Sequence, residues 1–81
     1  MARVLLFGRL QDIAGWRERS VEPTPPTVAA LLDQLAAEDE ALGEALRQPS
    51  VRVAVDRQIT AGDTSLAAAR EIAFMPPMSG G

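Results

Sequence analysis

Apolar and polar positions divide the 81-residue chain into short segments of differing period. Arg3-Val4-Leu5-Leu6-Phe7 holds a continuous apolar run too short for a helix and bounded by Gly8, the pattern of a central strand buried on both faces. Arg9 to Gly15 reads as a short helical turn closed by Gly15. Arg17-Glu18-Arg19-Ser20-Val21 is polar and alternating, as in an edge strand following a hairpin. The Pro23-Thr24-Pro25-Pro26 stretch is too stiff for a helix interior. Thr27 then stands where an N-cap belongs. Beyond it Val28, Leu31, Leu32 and Leu35 recur at helical spacing on one face, with Asp33, Gln34 and Glu38 off it.

Asp39 to Arg47 continues as a second short helix ended by Pro49, with acids in its first turn and Arg47 in its last, as the helix dipole favours. Val51-Arg52-Val53-Ala54-Val55-Asp56 alternates, placing three valines inward. Ala61-Gly62-Asp63-Thr64 reads as a turn, and Glu71 to Met75 as the last strand, stopped by Pro76, which lacks a ladder N–H. Strand, strand, helix, strand, strand predicts an α+β domain in which a mixed sheet packs on one main helix. The first and last strands are both strongly apolar and are expected to be central neighbours. That arrangement is the β-grasp, or ubiquitin-like, fold. Residues 1–75 are expected to form the domain and 76–81 an extended, flexible tail.

The tail raises the chemical question. Pro76-Pro77 is followed two residues later by Gly80-Gly81. Gly and Pro are ordinary residues, but this combination at a chain end arises by chance on the order of once in 10⁵ sequences. The prolines favour an extended backbone and keep the tail from folding back onto the sheet. Met78 to Gly81 can then reach at most ~14 Å, enough to thread a narrow channel. Gly80 and Gly81 have no side chains, so that channel can be tight. The group delivered is the Gly81 carboxylate, ionised at neutral pH and a poor electrophile until activated, most simply as an acyl-adenylate.

Composition narrows the remaining choices. There is no Cys, His, Lys or Tyr. Thiolate nucleophiles, imidazole bases, Schiff-base lysines, disulfides and nearly every zinc site are therefore excluded. No cofactor or metal site is expected. The net charge of -3, with all eight basic residues arginines scattered along the chain, argues against nucleic-acid binding. No segment approaches a membrane span and the N-terminal apolar run is short for a signal peptide, so a cytoplasmic protein is expected.

Phe74-Met75-Pro76-Pro77-Met78-Ser79-Gly80-Gly81 resembles the C-terminal signature of the small, sulfur-carrier subunits of molybdopterin synthase, a ubiquitin-like family. Pro26 to Leu31 resembles that family's start of the main helix, Val53-Ala54-Val55-Asp56 its third strand, and Leu66 with Glu71 to Phe74 its approach to the last strand. The likeness runs the length of the chain. It departs where Asp56 replaces a frequent Asn and where Ala68-Ala69-Arg70 replaces a common Asp-Gly-Asp turn.

The resemblance implies a carrier that is non-catalytic alone and whose partners hold the chemistry. An ATP-dependent adenylyltransferase like ubiquitin-activating enzymes would adenylate Gly81, and a sulfur donor would convert it to a thiocarboxylate. The tail would insert into the molybdopterin synthase large subunit, in a heterotetramer of two small and two large subunits. Two sulfur transfers would build the dithiolene. Gly80, Ser79, Met78, Pro77 and Pro76 would line the tail contacts. Met75 and Phe74 are candidate partner contacts that are also candidates for the core. The adenylating enzyme would dock on the exposed face of the sheet. Rival readings are a sulfur carrier for thiamin, cysteine or tRNA thiolation, a ubiquitin-like modifier of other proteins, and an interaction domain with an inert tail.

Overall fold

The computed structural model of the chain describes residues 2–60 and 62–77. It contains five strands and three helices in the order β1 (Ala2–Leu6), α1 (Arg9–Ala14), β2 (Glu18–Val21), α2 (Val28–Glu38), α3 (Glu40–Leu46), β3 (Arg52–Val55), β4 (Gln58–Thr60) and β5 (Glu71–Met75). The strands form one mixed sheet ordered β2-β1-β5-β3-β4. β1 and β5 are parallel neighbours at its centre, in the register Val4↔Ile72 and Leu6↔Phe74, as their apolar character predicts. All other pairings are antiparallel. The fold is the expected β-grasp.

One face of the sheet is covered. Val4, Leu6, Ile72 and Phe74 point from the two central strands into a core completed by Leu10, Leu31, Leu35, Leu42 and Leu66, all fully buried. Ion pairs add little to this. Arg3 reaches Glu18 and Glu71 at 3.4 and 3.3 Å, and Arg47 pairs with Asp33, but all involve exposed side chains.

α2 forms where its apolar period predicts, and its first turn is fully satisfied. The Ala30 N–H donates to Thr27 Oγ1 at 3.1 Å, the Ala29 N–H to Asp63 Oδ1 at 2.9 Å, and the Val28 N–H to the Thr64 carbonyl at 2.9 Å. The residue 62–66 loop thus caps a helix that precedes it by more than thirty positions, a use of Asp63 that local reading does not anticipate. Asp39 closes α2 and opens α3. Its N–H donates to the Leu35 carbonyl at 2.9 Å while its carboxylate accepts from the Leu42 N–H at 3.1 Å. Arg47 caps the end of α3 rather than lying in its last turn.

β4 is a strand that the hydrophobic pattern does not predict. It pairs with β3 through a two-residue loop, Asp56-Arg57, with φ of 49° and 71°. Such loops usually carry Asn-Gly or Asp-Gly, so Asp-Arg concealed the hairpin. The apolar runs also end differently from expectation. Phe7 lies beyond β1 and is 43% exposed. Val51 precedes β3, while Val53 and Val55 are half-buried against the core and Ala54 between them faces the other way. Ala69 does not adopt positive φ. The turn there closes with the Ala69 N–H donating to the Leu66 carbonyl at 3.1 Å, so the missing glycine causes no strain.

Candidate functional site: the base of the tail and the open sheet face

β5 carries the chain directly to the tail. Its residues alternate sharply between faces. Phe74 is fully buried in the core, where its side chain anchors β5. Met75, one residue on, is half-buried and stands opposite Arg52 of β3 on the other face. Pro76 is half-buried and Pro77 exposed, so the chain leaves the sheet within two residues. Met78, Ser79, Gly80 and Gly81 lie outside the described residues.

Pro76 rests on Gly8. The parallel register Leu6↔Phe74, continued by two residues, sets Gly8 opposite Pro76. The Phe7 N–H extends the ladder by donating to the Phe74 carbonyl at 3.2 Å. Gly8 has φ of 57°, and a Cβ placed on it would meet Pro76 Cγ at 2.8 Å. Gly8, Arg9, Pro76 and Pro77 line a cavity of about 260 Å³ at this point. The sequence marked Gly8 only as the end of a strand. Its contact with a residue 68 positions away is a consequence of parallel pairing.

The open face of the sheet carries an apolar row. Leu5, Ala73, Ala54 and Ile59 are direct cross-strand partners on β1, β5, β3 and β4. Ala73 and Ala54 are buried yet stand outside the core cluster. They sit low between longer neighbours, whereas Ile59 is 61% exposed. Glu18 ends the row at the β2 edge, opposite Leu5. Met75 extends the same face toward the tail. The apolar row and the tail's point of departure therefore share one side of the molecule.

At the far end of the sheet, Arg3, Ser20, Asp56, Arg57, Arg70 and Glu71 surround an open cleft of about 610 Å³. It adjoins the start of β5, remote from the tail. Among the described residues no His, Cys, Asp or Glu cluster is placed to hold a metal ion. No described helix is long and apolar enough to cross a membrane. Among the described residues, the core encloses no polar or charged side chain.

Comparisons with known proteins match this geometry. The ThiS family model matches residues 4–81. The molybdopterin synthase sulfur carrier subunit of Escherichia coli is 32% identical over 81 residues, the full length of both chains. Among solved structures, SAMP1 from Haloferax volcanii superposes with a TM-score of 0.79 at 29% identity, covering 99% of this chain and 98% of that one. The small archaeal modifier protein 1 of H. volcanii superposes with a TM-score of 0.70 at 26% identity, covering 96% and 100%. With a β-grasp core, a sheet face left open and a final strand followed in sequence by Pro-Pro and Gly-Gly, the chain belongs to the ThiS family, the MoaD/ThiS group of ubiquitin-like sulfur carriers.

Proposed function

We propose that this chain is the sulfur-carrier subunit of a molybdopterin synthase, and that its reactive group is the carboxylate of Gly81. The observation that carries the reading is the family's Pro-Pro-x-x-Gly-Gly ending, set at the end of a core-anchored central strand and aligned over the full length with a carrier of that activity.

The chemistry follows from the state of the carboxylate. One of its oxygens attacks the α-phosphorus of ATP on an adenylyltransferase, forming the acyl-adenylate and releasing pyrophosphate. Hydrosulfide from a sulfur donor attacks the activated carbonyl. The C–O bond to phosphorus breaks, AMP leaves with the electron pair, and a thiocarboxylate remains after loss of one proton. Oxygen has been exchanged for sulfur without any change in the carbon's oxidation state. Inside the large subunit the thiocarboxylate sulfur attacks an electrophilic carbon of the acceptor, a C–S bond forming as a C–O bond of that carbon breaks and its oxygen leaves. Water then cleaves the resulting thioester, leaving the sulfur on the acceptor and returning the Gly81 carboxylate. This domain contributes docking and reach. Leu5, Ala54, Ile59, Ala73 and Met75 supply an apolar surface for the activating enzyme, and Pro76-Pro77 project the tail.

The test is the intact mass of the purified chain after incubation with adenylyltransferase, ATP and sulfide. A gain of one oxygen-for-sulfur exchange, absent when Gly81 is deleted, supports the reading. No gain, with an enzyme proven active on another carrier, refutes it.

A second reading has its own support in the likeness to a small archaeal modifier protein. A modifier passes through the same adenylate but transfers its acyl group to an amine on a target. This chain has no lysine of its own to receive it. The two readings separate at the acceptor. Conjugates that resist thiol reductants and carry Gly81 in an amide bond would favour the modifier.

A further inference from the structure

We propose that Gly8 is a positioning residue for the tail: the β1–α1 turn forms a seat for the Pro76 ring that sets the direction in which the chain leaves the domain at Pro77. The inference rests on the sulfur-carrier reading for its consequence but not for its geometry.

Three observations converge on Gly8. The parallel register places it directly beside Pro76. Its backbone, at φ 57° and ψ -136°, lies in a region that side-chain-bearing residues avoid, so glycine is required by conformation. It is also required by space, because a Cβ would approach Pro76 Cγ to 2.8 Å. The second requirement is independent of the first. A glycine needed only for its turn could have open space around it, as Gly15 does at φ 82° with nothing within 4 Å.

The ring is held from below and is restricted along the chain. Proline fixes φ at its own position, and Pro77 restricts ψ at Pro76. With its ring against Gly8, Pro76 has little remaining freedom, and the direction of the chain at Pro77 follows. The end of a short tail must reach one reacting atom in an enzyme channel, and a small error at its base grows with each residue. Removing the seat should therefore leave docking intact while making correctly aimed complexes rarer.

The test is a double-mutant cycle with full-length chains: wild type, Gly8→Ala, Pro76→Ala and the double variant. Each is a substrate for the adenylyltransferase, with pyrophosphate release measured against carrier concentration. Both single variants should lower kcat about tenfold or more, as expected when a reacting group is misplaced but not removed. KM should stay near the wild-type value because the sheet face still docks. A merely destabilised carrier behaves differently, since a smaller folded fraction raises the apparent KM and leaves kcat alone. The double variant should lose no more than the worse single variant, because both act through one contact.

Multiplying losses in the double variant, or wild-type kcat in both single variants, would overturn the proposal. An NMR cross-peak between Gly8 Hα and the Pro76 ring, present in wild type and lost in Gly8→Ala, tests the seat without any enzyme, and its absence from the wild type would also overturn the proposal. If the wild type itself is never adenylated, the sulfur-carrier reading fails, while this cross-peak still decides whether the seat exists.

Discussion

Asp56 and Glu71 hold one another by reciprocal contacts. The Glu71 N–H donates to Asp56 Oδ1 at 3.0 Å, and the Asp56 N–H donates to the Glu71 carbonyl at 2.9 Å. The same Oδ1 accepts from the Arg70 N–H at 2.9 Å. One carboxylate thereby joins the β3–β4 turn to the first residue of the strand that carries the tail. Asp56 has φ of 49°, a conformation that Asp and Asn tolerate better than most residues.

Replacing Asp56 should separate these roles. Asp56→Ala strands two backbone N–H groups and places alanine at positive φ, an expected loss of about 1–3 kcal/mol. Asp56→Asn keeps both the amide oxygen as acceptor and the tolerance for positive φ, so it should lose less than half as much. Thermal unfolding followed by circular dichroism measures both, at roughly 4–8 °C per kcal/mol for a domain of this size. Equal losses in the two variants would show that the hydrogen bonds are not the source.

Gly43 provides a contest between two effects of opposite sign. Alanine is the better helix former by about 1 kcal/mol. A Cβ on Gly43, however, would lie 2.4 Å from Ala36 Cβ and 2.7 Å from its Cα, where α3 crosses α2. Backbone cannot yield as a flexible side chain can, and overpacking of this kind costs about 1–3 kcal/mol. Gly43→Ala should therefore destabilise in denaturant titration. Stabilisation would mean that the two helices can separate cheaply.

Adjacent residues of β5 should respond very differently. Phe74→Ala removes a fully buried ring from the centre of the core and should cost about 3–5 kcal/mol, a large share of the stability of so small a domain. Met75→Ala should cost about 1 kcal/mol or less, since the side chain is half-buried on the open face. Chemical denaturation of the two variants checks this, and comparable losses would mean that the open face carries more of the stability than its exposure suggests.

Ile59 tests the open face as a docking surface. Ile59→Thr keeps the β-branched shape on an exposed edge strand, so stability should change by no more than about 1 kcal/mol. In the carrier reading it should raise KM for adenylation with little effect on kcat, the reverse of the pattern expected for Gly8→Ala. An unchanged KM would move docking away from the β4 side of the sheet.

Much of this molecule was legible from local pattern. The period of Val28, Leu31 and Leu35, the Thr27 cap, the central pairing of two apolar strands and the Pro-Pro-x-x-Gly-Gly ending are properties of neighbouring residues, and local chemistry is sufficient to read them. Other features belong to residues far apart in the chain. β4 was hidden because Asp56-Arg57 adopts a glycine-like turn that is stabilised by bonds to Arg70 and Glu71, not by its own composition. Asp63 caps a helix that begins 35 residues earlier. Phe74 and Met75 could not be assigned to core or surface until the pairing with β1 and β3 fixed which face each one occupies. Gly8 is set against Pro76 only by the parallel pairing of β1 and β5. Local sequence determined which elements form and where the Pro-Pro-x-x-Gly-Gly motif stands. The tertiary structure decided which residues surround Pro76, because register and long-range hydrogen bonding depend on strand partners that the linear sequence does not name.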